Sequence, residues 1–338
     1  MRKLSLFTTV LLSALSLISI SAFAQLPQPD GGIIERGTLP SHWLSQAPKC
    51  MEIPDWQVHE YNPNFYLMRQ SPCTDFEKPF VFLLFGRDKV LLVDTGSRNG
   101  NLAPTLEHTV KNWLARNHRP SISLIVVHSH PHEDHVWGDK EVQAIHDPAI
   151  QVTLIPAEIE ATKRFYGIEH WPDDIGHLDL GGRMIDLIPI PGHSDASVAL
   201  YDRNTAVLLA GDSLYPGRLY VADFPAFQAS TERLIRFTAG KPVAQILGNH
   251  IEQTSTPFLD YPGGTMYQPD EHELALSRGS LLELEDALLS MHGKPQRLAL
   301  RDFSVWPVGS QFMFAGEKAR FKQHVEQQKK EMWDHAAH

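Results

Sequence analysis

The sequence predicts an α/β fold in which one sheet-rich domain carries additional helices towards its C-terminus. Short apolar runs typical of buried strands alternate with segments that place apolar residues at helical spacing. Four of the apolar runs end close to a histidine or an aspartate, as expected when strands deliver functional side chains to one rim of a sheet. The 338 residues suffice for one large domain or two modest ones, and no internal repeat or low-complexity linker divides them.

The first residues of the chain have the pattern of an export signal. A basic start, Met1–Lys3, precedes an apolar stretch over 4–20 and the small-residue sequence Ala22-Phe-Ala24. This arrangement predicts a cleavable signal peptide over residues 1–24. The alternative is an uncleaved anchor, but the stretch is near the lower length limit for a membrane span and contains several serines and threonines. We therefore expect a secreted or periplasmic protein without stable membrane anchoring after cleavage.

The charge balance limits the kind of partner. The chain has 30 lysines and arginines against 40 aspartates and glutamates, a formal net charge of −10 at pH 7. Loss of the basic signal segment would make the protein more acidic still. An acidic chain does not suit nucleic acid, because the phosphates need a basic track. We expect a small-molecule substrate and no nucleic-acid partner, and the sequence leaves the oligomeric state open.

Both cysteines lie in the N-terminal part of the mature chain. Residues 25–75, which contain Cys50 and Cys73, are predicted to form an irregular segment, since residues 25–60 are rich in proline and polar residues. In an oxidising compartment the two cysteines would form a disulfide, which stabilises a loop of this size by about 3 kcal/mol in the chain-entropy picture. A pair of metal ligands and two free thiols are the alternatives. The spacing matches no zinc motif and favours the disulfide.

The strands and helices of the predicted core follow one another in a regular order. Val81–Phe85 and Val90–Val93 flank a short turn and predict a β-hairpin. Apolar residues at helical spacing predict a helix over 104–117, and the strand Ile122–Val127 follows it. The remaining predicted elements are a strand at Val152–Ile155, a helix over 157–166, strands at Met184–Ile190, Val198–Tyr201 and Ala206–Leu209, a helix over 231–238 and a strand at Val243–Leu247.

Residues 251–338 have a different organisation, in which helices dominate. Ser280-Leu-Leu-Glu283 resembles a capping box that opens a helix, and Gly293 would end that helix. Residues 317–334 predict a polar terminal helix. The apolar residues expected on the inner faces of these two helices are Leu281, Leu284 and Leu288 in the first and Phe321, Val325 and Met332 in the second.

The densest group of metal-binding side chains directly follows the strand Ile122–Val127. It reads His130-Pro-His132-Glu-Asp134-His135. Residues two apart in an extended segment project to the same side, so His130 and His132 are placed to bind one ion together. Asp134 and His135 follow where the chain would turn into a helix and are placed to reach a second ion. Imidazole and carboxylate are ligands that Zn²⁺ prefers when cysteine is absent, so the sequence predicts a metal site rather than a polar loop.

Three later segments share one design, an apolar strand that ends in a small or polar residue and then a ligand-type side chain. They end in Gly192-His193, Gly211-Asp212 and Asn249-His250. Each strand can carry its terminal side chain to a common rim, where glycine permits close approach of the backbone. His128 offers a competing start for the histidine motif, but counting from it fills the aspartate and final histidine positions wrongly. We expect His128 to support the site rather than to bind metal.

On these motifs, the stretch from about Val81 to His250 resembles the metallo-β-lactamase superfamily. The resemblance implies a four-layer αβ/βα sandwich with two zinc ions at one edge, within a hydrolase domain over 76–338 whose core is 81–250. It also implies a ligand set. His130, His132 and His193 would hold the first zinc, Asp134, His135 and His250 the second, Asp212 would bridge both, and Asp94 would support the site from below. The same ligand set serves iron in oxidative relatives, so iron remains an alternative.

The sequence departs from the family pattern at two positions. Trp137 replaces the first glycine usual after the histidine motif, and Asn249 replaces the usual hydrophobic or small residue before the final histidine. Neither change removes a ligand. Trp171, in the loop after the helix over 157–166, is either a pocket wall or surface packing.

The resemblance implies metal-assisted hydrolysis of a small carbonyl substrate. Two zinc ions that share a water generate a hydroxide near neutral pH and polarise the carbonyl, and Asp134 would orient the hydroxide and return a proton to the leaving group. Asp212, where the best-known β-lactamases of the superfamily have cysteine, favours a lactone or an ester. Tyr215 occupies the position from which lactonases of this fold donate a hydrogen bond to the substrate carbonyl, although ordinary packing is the alternative.

Other functions rank lower. β-Lactam cleavage is second because the chain has an export signal, and glyoxalase II-like thioester hydrolysis is third because no concentrated basic patch follows His250. A metal-binding protein without catalysis is disfavoured, since such relatives usually lose ligands and all seven positions are filled here. The sequence does not identify the substrate.

Overall fold

The computed structural model describes residues 34–50, 53–309, 311 and 315–334. The predicted signal peptide over 1–24 lies outside these residues. Within the described part of the chain, no helix combines the length and the apolar character that a membrane crossing requires.

Two six-stranded sheets form the centre of the fold. The first contains, in spatial order, β1 (Trp56–Asn62), β2 (Phe65–Gln70), β3 (Phe80–Phe85), β4 (Lys89–Val93), β5 (Ile122–Val127) and β6 (Ile150–Leu154). Strands β1 to β4 pair antiparallel, whereas β4, β5 and β6 pair parallel. The predicted hairpin at Val81–Phe85 and Val90–Val93 is confirmed. The strand predicted at Ile122–Val127 has the predicted ends.

The second sheet is formed by strands that come later in the chain. Its strands in chain order are β7 (Gly176–Asp179), β8 (Met184–Pro189), β9 (Val198–Asp202), β10 (Val207–Gly211), then β12 (Gln245–Gly248) and β13 (Ala275–Leu276). The spatial order is β13-β12-β10-β9-β8-β7, and β10 and β12 pair parallel. A small third sheet has β11 (Arg218–Val221) and β14 (Leu298–Ala299) on either side of β15 (Ser304–Pro307).

Seven helices accompany the sheets in the described part of the chain. In chain order they are α1 (Leu102–Arg116), α2 (Glu133–Val136), α3 (Asp139–Gln143), α4 (Ile159–Tyr166), α5 (Phe224–Thr238), α6 (Arg278–Ser290) and α7 (Glu317–Asp334). Buried residues of α1 and α3 pack on the first sheet, and those of α5 and α6 pack on the second. The resulting order of layers is helix, sheet, sheet, helix, so the predicted α/β sandwich is confirmed.

The central core lies between the sheets because successive strand residues face opposite sides. In β4, Leu91 and Val93 contact the inter-sheet core, whereas Leu92 between them packs towards α1. In β10, Val207 and Leu209 point into the inter-sheet core and Leu208 packs towards α5 and α6. Strands buried on both faces read as continuous apolar runs, which is why the sequence revealed them.

The N-terminal segment differs from the prediction. Residues 25–75 were expected to be irregular, but Trp56–Asn62 and Phe65–Gln70 are strands of the first sheet. Strand β2 was not predicted because its last two residues, Arg69 and Gln70, are polar, although both are fully buried. Arg69 is accommodated because its guanidinium pairs with the Glu271 carboxylate at 2.6 Å, a partner far away in sequence. The predicted disulfide Cys50–Cys73 is present.

Three predicted helix features also need correction. The capping box of α6 is formed by Ser277 and Ser280, three residues before the predicted one, and the helix ends at Ser290. Helix α5 begins at Phe224, not at 231, because Asp223 accepts a hydrogen bond from the backbone of Ala226 and caps it. In α7, Val325 and Met332 are buried as predicted, but Phe321 is 38% exposed.

Candidate metal centre

The ends of four strands bring the predicted ligands to one rim. Strand β5 leads into the loop with His130 and His132, and His132 is the N-cap of α2, which contains Asp134 and His135. The other three strands are β8, β10 and β12, which are followed by His193, Asp212 and His250 respectively.

Gly192 shows why a glycine directly precedes the predicted ligand His193. Its φ angle is +138°, and a Cβ atom built on it would lie 2.4 Å from the Cα of Phe227 in α5. Because an L-residue with a side chain would be strained and would collide with the helix backbone, only glycine allows the chain to turn here. The turn places His193 directly against the histidine loop.

Three imidazole nitrogens converge in the first ligand group, formed by His130, His132 and His193. Nε2 of His130 lies 2.9 Å from Nδ1 of His132 and 3.2 Å from Nε2 of His193, and these last two nitrogens are 3.0 Å apart. Tetrahedral ligands at the usual Zn–N distance are about 3.3 Å from one another, close to the observed separations. His130 and His193 are buried, whereas His132 is exposed.

The second ligand group contains Asp134, His135, Asp212 and His250. Oδ2 of Asp134 lies 3.2 Å from Nε2 of His135 and 3.2 Å from Nε2 of His250. Asp212 approaches the same two nitrogens, with its Oδ2 3.5 Å from His135 and its Oδ1 3.4 Å from His250. Two imidazoles and two carboxylates therefore point into one small volume.

Asp212 faces both ligand groups. Its Oδ2 lies 3.7 Å from Nε2 of His193 and 3.8 Å from Nε2 of His130. Within the described residues, Oδ1 of Asp212 and Nε2 of His135 are buried without a hydrogen-bond partner. Buried polar atoms normally have a partner, so these two atoms point to a bound ligand. Imidazole and carboxylate donors fit a divalent metal ion.

The second nitrogens of the histidines are held by hydrogen bonds. Nδ1 of His193 lies 2.7 Å from the carbonyl oxygen of Tyr220, and Nδ1 of His250 lies 3.0 Å from the carbonyl oxygen of Glu77. A carbonyl oxygen accepts only, so each imidazole donates through Nδ1 and directs Nε2 into its ligand group. Such contacts fix the ring orientation and raise the affinity for metal.

Asp94 plays the same role for His135. Its Oδ2 lies 3.0 Å from Nδ1 of His135, and its two oxygens also accept hydrogen bonds from the backbone and hydroxyl of Ser129, at 2.7 and 2.8 Å. Asn249 donates to the same Oδ2 at 2.7 Å and to the carbonyl oxygen of Phe80 at 2.7 Å. The departure from the family pattern at Asn249 thus has a structural role beneath the site.

The pKa shifts of the buried histidines differ in direction between the two ligand groups. Burial and the neighbouring charge of His135 hold the pKa of His130 well below its usual value, and burial lowers the pKa of His193. Burial also disfavours the charged form of His250, but the carboxylates of Asp212 and Asp134 outweigh it and raise its pKa. His130 and His193 are therefore held in the neutral form that binds a cation, whereas the carboxylates of Asp134 and Asp212 favour the charged form of His250.

Tyr215 is not directed to this centre through its hydroxyl. The side chain is buried, and the hydroxyl donates to the carbonyl oxygen of Arg218 and lies 3.2 Å from a carboxylate oxygen of Glu252. Burial, with the charge of Glu252, raises the pKa of Tyr215 above its usual value. This placement gives no support to the predicted hydrogen bond with a substrate carbonyl.

The other predicted residues lie around the centre. His128 is buried outside both ligand groups, with Nε2 3.3 Å from a carboxylate oxygen of Asp139. Trp171 is partly buried and packs against the inter-sheet core. Trp137 is half exposed, and the guanidinium of Arg98 lies over its ring.

Sequence reasoning missed the residues that act through their backbone. Glu77 and Tyr220 contact His250 and His193, two histidines of the ligand groups, through their carbonyl oxygens. Every residue type has this oxygen, so the identity of the two residues gave no indication of their role. Ser129 was detectable in principle, because it lies beside His130 in the motif and its hydroxyl is a donor to Asp94.

Comparisons with known proteins identify the family of this chain. A sequence model of the family described as the metallo-beta-lactamase superfamily matches residues 74–291, more than half of the chain. The acyl-coenzyme A thioesterase MBLAC2 of Homo sapiens is 30% identical over 231 residues, which cover 59% of this chain and 83% of that protein. The hydroxyacylglutathione hydrolase of Methylococcus capsulatus is 31% identical over 112 residues, which cover 32% of this chain and 42% of that protein.

Among solved structures, the metallo-beta-lactamase from Pontibacter korlensis has a TM-score of 0.46 and 14% identity, covering 69% of this chain and 99% of that chain. The family match extends over the whole histidine motif and all the strand ends described above. With its ligand residues converging as two groups, this chain belongs to the metallo-β-lactamase superfamily and is a metal-dependent hydrolase.

Proposed function

We propose that this protein is an exported binuclear zinc hydrolase that cleaves a small lactone or ester. The observation that carries the proposal is the position of Asp212, whose carboxylate faces both ligand groups. With metal ions in both ligand groups, a carboxylate placed between them would allow both ions to act on one carbonyl group. The signal-like sequence over 1–24 supports export.

Zinc in the two ligand groups would polarise the substrate carbonyl and lower the pKa of a water molecule. The chain supplies positioning and proton transfer. Asp134 is the most exposed ligand of the second group, and one of its oxygens contacts both His135 and His250. We assign to Asp134 the orientation of the attacking water and the return of its proton to the leaving group.

Thioester hydrolysis is a second candidate, and one observation favours it. The human relative that is 30% identical over 59% of this chain is named an acyl-coenzyme A thioesterase. A thioester has the same carbonyl geometry as an oxoester, so the arrangement of the ligands suits both. β-Lactam cleavage ranks lower, because Asp212 stands where the best-known β-lactamases have cysteine.

The proposal is tested with the mature, zinc-loaded protein. Metal content is measured by mass spectrometry, and hydrolysis is followed for aliphatic lactones, aryl esters, an acyl-coenzyme A and a chromogenic cephalosporin. The informative variant is Asp134→Asn, because it keeps the shape and removes the proton acceptor. Glu133→Gln, an exposed neighbour in the same helix, is the matched control.

We expect about two zinc ions per chain, hydrolysis of lactones or esters, and a loss of at least 100-fold in kcat for Asp134→Asn with little change for Glu133→Gln. Hydrolysis of the thioester alone would transfer the assignment to the second candidate. A fully zinc-loaded protein that cleaves only the cephalosporin, or nothing, would overturn the proposal.

A further inference from the structure

A small cavity lies directly beside the candidate metal centre. It has a volume of about 160 Å³, and the ligand His250 forms part of its wall. Glu77 and Lys78 line it from the segment before β3, and Tyr220 lines it from β11. We call this space the inner cavity.

A larger groove lies between the third sheet and the terminal helix. Its volume is about 790 Å³, within the range of pockets that hold small molecules. Four aromatic side chains line it, Tyr220, Phe258, Trp306 and Phe321. Three of these rings are exposed, with 37%, 63% and 38% of the surface of Tyr220, Phe258 and Phe321 accessible. We call this space the outer groove.

The two spaces share part of their walls. Arg218, Tyr220, Pro262, Gly263 and Phe321 line both the inner cavity and the outer groove. Tyr220 is central to this connection, because its carbonyl oxygen contacts Nδ1 of the ligand His193 while its ring lies 6.1 Å from the ring of Trp306. The outer groove therefore adjoins the inner cavity, and the inner cavity in turn contacts the metal centre through His250.

Two cationic side chains of the outer groove are engaged by carboxylates within the protein. The guanidinium of Arg218 pairs with Glu252 at 2.6 Å and donates to the carbonyl oxygen of Tyr261. Arg297 pairs with Glu317 at 3.0 Å and lies over the ring of Trp306. With Arg218 and Arg297 neutralised internally, the groove offers a substrate its four aromatic rings, and Arg320 is the further guanidinium that lines it.

We propose that the outer groove binds the apolar acyl chain of the substrate, with the reacting carbonyl held at the metal centre. This assignment rests on the proposed function, and it names the substrate class as esters or lactones with a long aliphatic chain. At about 30 Å³ for each group the size of a water molecule, the inner cavity holds about five such groups. A longer chain has to continue past Tyr220 into the outer groove.

The inference is tested by binding, which does not require turnover. Calorimetry measures the affinity of the zinc-loaded protein for decanoate and for butyrate, the carboxylate products of long and short acyl esters. Ala299→Trp places a bulky ring on exposed groove-lining backbone and blocks the groove without removing packing. Ala115→Trp, on the exposed face of α1, is the matched control.

A second variant removes a wall instead of adding a block. Trp306→Ala takes away the central ring of the outer groove. Trp333→Ala, an exposed tryptophan in α7 that lies outside the residues lining the groove, is its control. Circular dichroism of all four variants establishes that each has folded.

We expect decanoate to bind at least 10-fold more tightly than butyrate, since apolar burial adds about twofold or more per methylene. Ala299→Trp and Trp306→Ala should each remove most of this preference while leaving butyrate unchanged, and both controls should keep it. Equal affinities for the two carboxylates, or a preference unaffected by both groove variants, would overturn the inference. The proposed function would fail separately, by an absence of hydrolysis of short-chain esters and lactones.

Discussion

The side-chain amide of Asn249 donates to Oδ2 of Asp94 across 2.7 Å, and this contact joins two strand ends of different sheets beneath the metal centre. The same Asp94 oxygen lies 3.0 Å from Nδ1 of His135, while Asn249 directly precedes the ligand His250. The hydrogen bond therefore couples the positions of two ligands of the second group. Asp94 has a φ angle of 68°, a left-handed conformation that aspartate tolerates better than most residues.

The first prediction concerns this contact. In Asn249→Leu the carboxylate of Asp94 loses one donor, so His135 is held less firmly. We expect the affinity for the metal of the second group to fall by about 10-fold to 100-fold, as for other outer-shell changes. Chelator competition measures the affinity, with Asn112→Leu on the exposed face of α1 as control. An unchanged affinity would show that Ser129 alone suffices to hold Asp94.

The second prediction concerns the shared carboxylate. Asp212→Ala removes the oxygens that face both groups but leaves the three histidines of the first group in place. We expect the bound metal to fall from about two ions to about one per chain, and hydrolysis to fall at least 100-fold. Metal analysis after gel filtration gives the stoichiometry. Retention of two ions would mean that Asp212 does not link the groups.

The third prediction distinguishes the two interpretations of Tyr215. Because its hydroxyl donates to the carbonyl oxygen of Arg218, Tyr215→Phe should lower the free energy of unfolding by about 1 kcal/mol. The value of kcat should change less than threefold. If the sequence-based interpretation is right instead, kcat falls by an order of magnitude or more at unchanged stability.

The fourth prediction is a pH dependence of stability. Burial, with the charge of Arg69 nearby, lowers the pKa of Lys78 to about 8. Between this value and the ordinary pKa near 10.5, the unfolded chain binds more protons than the folded chain. The contribution of Lys78 to stability must therefore increase as the pH rises through this window and decrease as the pH falls through 8.

Urea unfolding of the metal-free protein between pH 7 and 10 measures this effect. The control is Lys78→Met, in which the titrating group is absent. The difference in the free energy of unfolding between the wild-type protein and the variant should increase steadily from pH 7.5 to pH 10. A difference that is constant over this range would contradict the lowered pKa.

The fifth prediction concerns the disulfide. Cys50 and Cys73 are 23 positions apart, and closing a loop of this length stabilises the folded state by about 3 kcal/mol in the chain-entropy model. The double variant Cys50→Ala/Cys73→Ala should show a clearly lower midpoint in thermal unfolding. Wild-type protein treated with a reductant should show the same decrease, and Cys-free protein should not respond to the reductant.

The sequence predicted the parts of the fold that local patterns encode. Strands such as Ile122–Val127, buried on both faces, read as uninterrupted apolar runs, and all seven ligands belong to strand ends or to one short motif. By contrast, β1 and β2 were missed because Arg69 and Gln70 are polar and nevertheless buried. The burial of Arg69 depends on Glu271, and a pairing over such a sequence distance leaves no local signal.

The same reasoning explains which site residues escaped prediction. The type of a ligand side chain is visible in the sequence, so His193, Asp212 and His250 were identified from their strand ends. The direction of a hydroxyl is not visible, and Tyr215 turned towards Arg218 rather than towards the metal ligands. Backbone carbonyl oxygens, such as that of Tyr220, carry no residue-type information at all.

The parallel pairing of β11 with β15 has a consequence for the order of events during biosynthesis. A nascent polypeptide that has emerged only as far as His250 already contains the seven predicted ligand residues. The strand that carries Tyr220, whose carbonyl oxygen steadies His193, still lacks its neighbour, because β15 is translated much later. A protein truncated before Ser304 would therefore retain the seven predicted ligands but lose the strand that pairs with β11 and supports the alignment of His193.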